Sequence, residues 1–290
     1  MEAPAVPVSE PPAGLVRRPS WARMRRALLG AIGAAGAGVL VRALMSRPGR
    51  TVRTGDDLSL LAGVGVIGII PAFRASGKAV HGRARPDASA MRAYRALRSA
   101  LDDGRHANGA RVIVITSARS GDGKTTSAAN LAVVMATHGD RVLLIDAETR
   151  RGDQHALFGV AAEPGFFDLL FGQATANACI RTISVGPSAR LDLLPSGGAS
   201  QTDAESLLIA GRLGGFLGRL RADYDVVLID SPPLDSYADA ARIGAHADAV
   251  VFVARAGHTP RRSVEAAARQ LRHVGAMVVG AVLNDVSRRR

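Results

Sequence analysis

Cysteine and aromatic residues are scarce in this chain. A single cysteine, Cys179, excludes an internal disulfide, so the fold cannot depend on covalent staples. Aromatics make up 4% of the sequence, with one tryptophan and three tyrosines: Tyr94, Tyr224 and Tyr237. That scarcity goes with heavy use of Ala, Gly and Arg, a compositional bias that says little about function. Acidic residues are also short over the first 111 positions, which carry 18 Lys/Arg against 7 Asp/Glu, whereas residues 112–290 carry 19 against 18. The formal charge of +12 is therefore a property of the leading segment and gives no reason to assign nucleic acid as a partner. A basic arm beside an apolar run suits an anionic lipid surface at least as well.

Residues 1–26 are rich in Pro, Ala and Arg and read as a disordered tail. The uninterrupted apolar run 27–41 is about 22 Å long as a helix, short of the roughly 30 Å hydrocarbon core. Extended to residue 45 it reaches about 28 Å, with Arg42 snorkelling. Gly30, Ala34 and Gly38 recur at the spacing that lets membrane helices pack closely. A membrane helix over 27–45 is the expectation, and an interfacial or partner-packed helix, or a soluble one, is the alternative. Arginines flank both ends, so orientation cannot be read. Residues 46–90 read as connector and linker, including the apolar unit "LSLLAGVGVIGIIP". Residues 91–290 read as the main domain, opening on a helix with Met91, Tyr94, Leu97 and Leu101 on one side and Arg92, Arg95 and Arg98 on another.

From Arg111 the texture changes. Short apolar runs, "RVIVIT", "RVLLID", "LDLLPSG", "DVVLID", "AVVFVA" and "AMVVGAVLN", alternate with amphipathic helical stretches. That pattern predicts an α/β fold: a mainly parallel sheet with helices on both faces, binding ligands beyond the carboxyl ends of its strands.

"TSARSGDGKTT" lies immediately after the first of these strands and opens a helix, where a phosphate loop belongs. Gly121, Asp122 and Gly123 offer backbone amides, and the helix N-terminus adds its dipole. Lys124 supplies charge for the β- and γ-phosphates of ATP, and Thr125, followed by Thr126, a hydroxyl for Mg2+. The strict pattern begins with Gly, and here Ala118 stands in that place. Asp146 and Asp230 each end an apolar strand at the same edge. Either can hold Mg2+ directly or through water, and one can accept a proton; the bland alternative is that each caps the segment after it.

Taken together, "ITSARSGDGKTTSAANLA", "VLLIDAETRRGDQHALFG" and "YDVVLIDSPPL" resemble the three nucleotide motifs of the bacterial tyrosine kinases, phosphate-loop proteins that regulate capsular and exopolysaccharide synthesis. "EPGFFDLLFGQA", "LDLLPSGG" and "VVGAVLNDV" resemble the same family, and "LSLLAGVGVIGIIP" resembles its connector to a chain-length-determinant membrane partner. The resemblance implies ATP and Mg2+ as ligands, with Lys124, Asp146 and Asp230 catalytic and with Thr125, Asp146, Glu148 and Asp230 near the metal. It puts Asn284 near the adenine, a protein as substrate, and the chain at the cytoplasmic face of the inner membrane. Three departures stand out. Glu148 occupies a position where the family usually has Asp. Arg92 replaces the Glu of a Glu-x-x-Arg-x-x-Arg self-association motif, against the homo-oligomer the family implies. No tyrosine follows Asn284, so multi-site tyrosine autophosphorylation is not expected. Two other classes remain: a membrane-cycling positioning ATPase, whose extra loop lysine would correspond to Arg119, and a non-catalytic nucleotide-binding scaffold.

Overall fold

The computed structural model describes residues 51–73, 86–108, 111–148, 152–198, 212–235 and 238–287. The tail, the expected membrane helix over 27–45, residues 46–50 and 74–85 of the connector and linker, and Tyr237 lie outside them. Among the described residues no helix is long and apolar enough to cross a membrane.

The elements run in the order α1 (Gly55–Ala62), β1 (Val66–Pro71), α2 (Ala88–Asn108), β2 (Val112–Ser117), α3 (Lys124–His138), β3 (Val142–Asp146), α4 (Gln154–Phe158), α5 (Phe166–Phe171), α6 (Ala176–Cys179), β4 (Arg181–Ser184), β5 (Arg190–Leu194), α7 (Arg212–Asp223), β6 (Val226–Asp230), α8 (Ala238–His246), β7 (Ala249–Arg255), α9 (Arg261–His273) and β8 (Val278–Val286). Eight strands form one sheet in the order β1-β8-β7-β2-β6-β3-β5-β4. All neighbours are parallel except β4 and β5. The expected architecture is therefore present, with one antiparallel edge strand in addition.

The central strands are apolar throughout because both faces are covered. On β2, Val112 and Val114 face one core with Phe216, Leu217 and Leu271 from α7 and α9. Ile113 and Ile115 face the other, with Tyr94 and Leu97 from α2 and Leu131 and Met135 from α3. The alternation is the period-two geometry of a strand, and the helices cover both sides.

Part of the segment read as connector belongs to this sheet. β1 pairs with β8, and residues 51–62 dock on the β7–α9 connection. Val52 donates its N–H to the Thr259 carbonyl at 2.9 Å, and Asp57 on α1 pairs with Arg261 on α9 at 2.6 Å. On α2 the arginines divide. Arg92 and Arg95 are exposed, whereas Arg98 is half-buried, paired with Asp102 at 2.7 Å and lying 3.8 Å from Asp140. Arg98 is thereby committed to the chain's own packing, unlike the other two.

Candidate functional site

β2 delivers the chain to the carboxyl edge of the sheet, and the loop that follows closes on α3. Gly123 sits at φ +96°, a left-handed conformation that L side chains resist, and it caps α3. A Cβ there would also overlap the side-chain amide of Asn284, whose Nδ2 donates to the Asp122 carbonyl at 3.1 Å. Glycine at 123 lets β8 support the loop from behind. Gly123→Ala is expected to weaken ATP binding at least about tenfold, since left-handed strain of roughly 1–2 kcal/mol adds to the clash. An ATP titration checks it, and a native-like circular dichroism spectrum should show the sheet intact.

Asp122 is expected from the sequence as a ligand contact, but its side chain turns into the protein. It accepts from the Arg119 N–H at 2.9 Å and from the Thr259 hydroxyl at 2.6 Å, and Thr259 Oγ1 in turn accepts from the Arg255 N–H at 2.7 Å. Only its backbone remains for a ligand. Burial pushes the Asp122 carboxyl up to about 6, against the Thr259 and Arg119 hydrogen bonds that pull it down. A carboxyl raised above its unfolded value binds more protons in the folded state, so its contribution to stability declines as pH climbs from about 4 to about 6. The stability gap between wild type and Asp122→Asn should therefore move in the variant's favour across that window, as measured by melting temperature against pH.

Lys124 is buried and points among the carboxylates. Its Nζ lies 3.1 Å from Glu148, 3.9 Å from Asp230 Oδ1 and 3.3 Å from Thr125 Oγ1. Burial pulls its pKa down, but Asp230 and Glu148 more than offset this and hold the ammonium charged. The Glu148 carboxylate thus pairs with the lysine, a contact the sequence did not suggest. Asp146 and Asp230 are register partners on adjacent parallel strands, both with no exposed surface. Burial, then mutual repulsion, pushes Asp146 well above the usual carboxylate range. Burial also raises Asp230, opposed by Lys124.

Gln154, the first residue of α4, is a site member that sequence reasoning missed. Its Nε2 donates to Asp230 Oδ2 and to the Thr125 carbonyl, each at 3.0 Å, and its backbone N–H donates to Asp146 Oδ2 at 3.0 Å. Gly152 makes this approach feasible, because a Cβ there would overlap Ser196 and come within 2.9 Å of Asp146 Oδ2. No helix is legible in "RRGDQHALFG", and a neutral glutamine eight positions after Asp146 carries no motif of its own.

A cavity of about 370 Å³ adjoins the loop, lined by Phe73, Gly123, Thr126, Leu157, Arg255 and Asn284 among others. That is within the usual range for a small-molecule site, roughly 300–1,000 Å³. Asn284 thus touches both the loop and the cavity. Among the described residues no three His, Cys, Asp or Glu side chains converge as a ready metal cage. Asp146, Glu148 and Asp230, expected near the metal, make their contacts here with Gln154, Lys124 and each other.

The chain is similar in sequence and fold to proteins of known family. Residues 110–274 match a family model described as an AAA domain. The tyrosine-protein kinase YwqD of Bacillus subtilis is 32% identical over 191 residues, covering 66% of this chain and 79% of that protein. The kinase domain of the Escherichia coli tyrosine kinase ETK superposes with a TM-score of 0.74 at 31% identity, over 82% of this chain and 96% of that one. The chain belongs to the bacterial tyrosine-protein kinase family. Among other members, the tyrosine-protein kinase Wzc of Salmonella typhi is 34% identical over 204 residues, and the BceF tyrosine kinase domain superposes with a TM-score of 0.72 at 29% identity over 82% of this chain and all of that one. The match covers 70% of this chain and 28% of Wzc; for EpsB of Ralstonia solanacearum the shares are 73% and 28%. The chain thus spans less than a third of those two relatives.

Proposed function

We propose that the domain binds ATP with Mg2+ at the loop and serves as a tyrosine-kinase-like regulator of capsular or exopolysaccharide polymerisation or export, at the cytoplasmic face of the inner membrane. The observation that carries this reading is the placing of Lys124 between the phosphate loop and two strand-end carboxylates in register. The backbone amides of Gly121, Asp122 and Gly123 receive the phosphates, and Lys124 turns from Glu148 towards them. Thr126, Asn284 and the cavity beside them hold the nucleoside. A Mg2+ ion fits the donor set, since it keeps most of its waters and needs few protein ligands: the Thr125 hydroxyl, with Asp146 and Asp230 reached through water. When bound it would neutralise charge developing on the transferred phosphoryl group. Asp146, buried and raised in pKa, is suited to take the proton of an acceptor hydroxyl.

The acceptor is proposed to lie on another chain, such as a membrane partner of the chain-length-determinant type. Tyr237 lies outside the described residues and is one site, not a cluster, and Tyr94 is wholly buried. The Tyr224 hydroxyl donates to Asp192 Oδ2 at 2.9 Å, and burial with that carboxylate pushes its pKa up. The same two observations support a second reading, in which ATP hydrolysis alone switches the domain's conformation. Incubating the full chain with labelled ATP and Mg2+, alone and with a tyrosine-containing polymer, separates them. Label on the polymer supports transfer, and free phosphate alone supports the switch. Neither product, with no ATP bound, would overturn both.

A further inference from the structure

Gln154 carries more of the site than its contacts alone reveal. Both partners of its Nε2 are acceptors, Asp230 Oδ2 and the Thr125 carbonyl, so the amide can stand only one way round. Its Oε1 is then fixed too, and this oxygen is buried with no hydrogen-bond partner. The other oxygen of Asp230, Oδ1, also lacks a close hydrogen-bond partner, although the Lys124 ammonium stands 3.9 Å away and the Thr125 side chain also acts on this carboxyl. Each of these two acceptors shares its carbon with one end of the Gln154 Nε2–Asp230 Oδ2 hydrogen bond. Buried acceptors are rarely left unmet, because each has lost its water without gaining a donor. A pair of them beside the Thr125 hydroxyl calls for a ligand that presents several O–H donors. A hydrated divalent cation is such a ligand, and Mg2+ retains its waters readily.

From this juxtaposition we propose that Gln154 is a positioning residue for the hydrated Mg2+ that accompanies ATP. Its Oε1, together with Asp230 Oδ1, accepts hydrogen bonds from metal-bound water. Its Nε2 and backbone N–H meanwhile lock Asp230 and Asp146 in orientation and tie them to the first turn of α3. The same amide senses both the loop, through the Thr125 carbonyl, and the metal, through its oxygen. The inference rests on the ATP-binding reading above and adds a specific prediction to it: Gln154 matters to the metal and little to the nucleotide alone.

The test is ATP binding by titration calorimetry, with Mg2+ and with excess EDTA, for wild type, Gln154→Leu and Gln154→Met. Outer partners of metal sites typically contribute ten- to a hundredfold in affinity. The expected result is a loss of about tenfold or more for both variants in Mg2+, and a change under about twofold in EDTA. Met keeps the volume and flexibility of Gln and is the measure if Leu disturbs the fold. An equal loss with and without Mg2+ would reduce Gln154 to a brace for the loop and overturn the proposal, as would no loss in either condition. Wild-type protein that binds no ATP in either buffer would overturn the ATP-binding reading itself, and this inference with it.

Discussion

Asp146→Asn is expected to cut phosphoryl transfer or ATP hydrolysis at least about a hundredfold, through loss of the base or of the metal's outer partner. The ligand-free protein should melt at the same temperature or higher. Asn keeps one carbonyl oxygen for the Gln154 or Glu148 N–H and leaves the other buried N–H unmet, at a cost of about 1–3 kcal/mol. Against that, it removes a buried charge facing Asp230. The folded-state pKa of Asp146 lies above its unfolded value, so the wild-type carboxyl becomes increasingly costly as pH rises past about 4, and the variant's relative stability should grow in that direction. Rates measured beside thermal melts at two pH values check both parts. A variant that keeps its rate and loses stability would make Asp146 a structural residue.

Lys124→Ala should act in the opposite sense on stability and strongly on binding. One charge-assisted contact to phosphate is worth about 1.5–3 kcal/mol, so ATP affinity should fall roughly ten- to a hundredfold. The lysine is also the cation among Asp146, Glu148 and Asp230. Its folded pKa is raised, so its stabilisation is complete below the unfolded value of about 10.5 and is lost only as pH climbs through the raised one. At neutral pH the variant leaves buried carboxylates without their counter-charge and should melt lower than wild type. Unchanged affinity in a folded variant would contradict the phosphate-loop assignment.

The strands that position the site are legible because parallel strands covered on both faces must be apolar without interruption. "RVIVIT", "RVLLID" and "DVVLID" have that form, and each hands over to the site at its end. β4 is harder to see: "RTIS" is four residues long, lies at an edge and buries only Ile183. α4, α5 and α6 run from four to six residues, too short for a helical period to register. β1 reads as part of a connector, since its partnership with β8 is made across more than 200 residues of sequence. At the site, residue types were legible but their facing was not. Asp122 and Glu148 are both acidic and near the loop, yet one braces Thr259 and the other holds Lys124. Gln154 depends on the close approach of Gly152 to Asp146 and Ser196, and no spacing rule encodes that approach.

The proposal that ATP sits on this loop is tested most directly by backbone amide exchange of the full chain, with and without saturating ATP and Mg2+. Binding as proposed slows exchange in residues 119–126, where the amides meet phosphate, and to a smaller extent in residues 146–148, 152–158 and 282–286. Unchanged exchange at 119–126 under saturating ATP, or protection confined to other parts of the sheet, would contradict it.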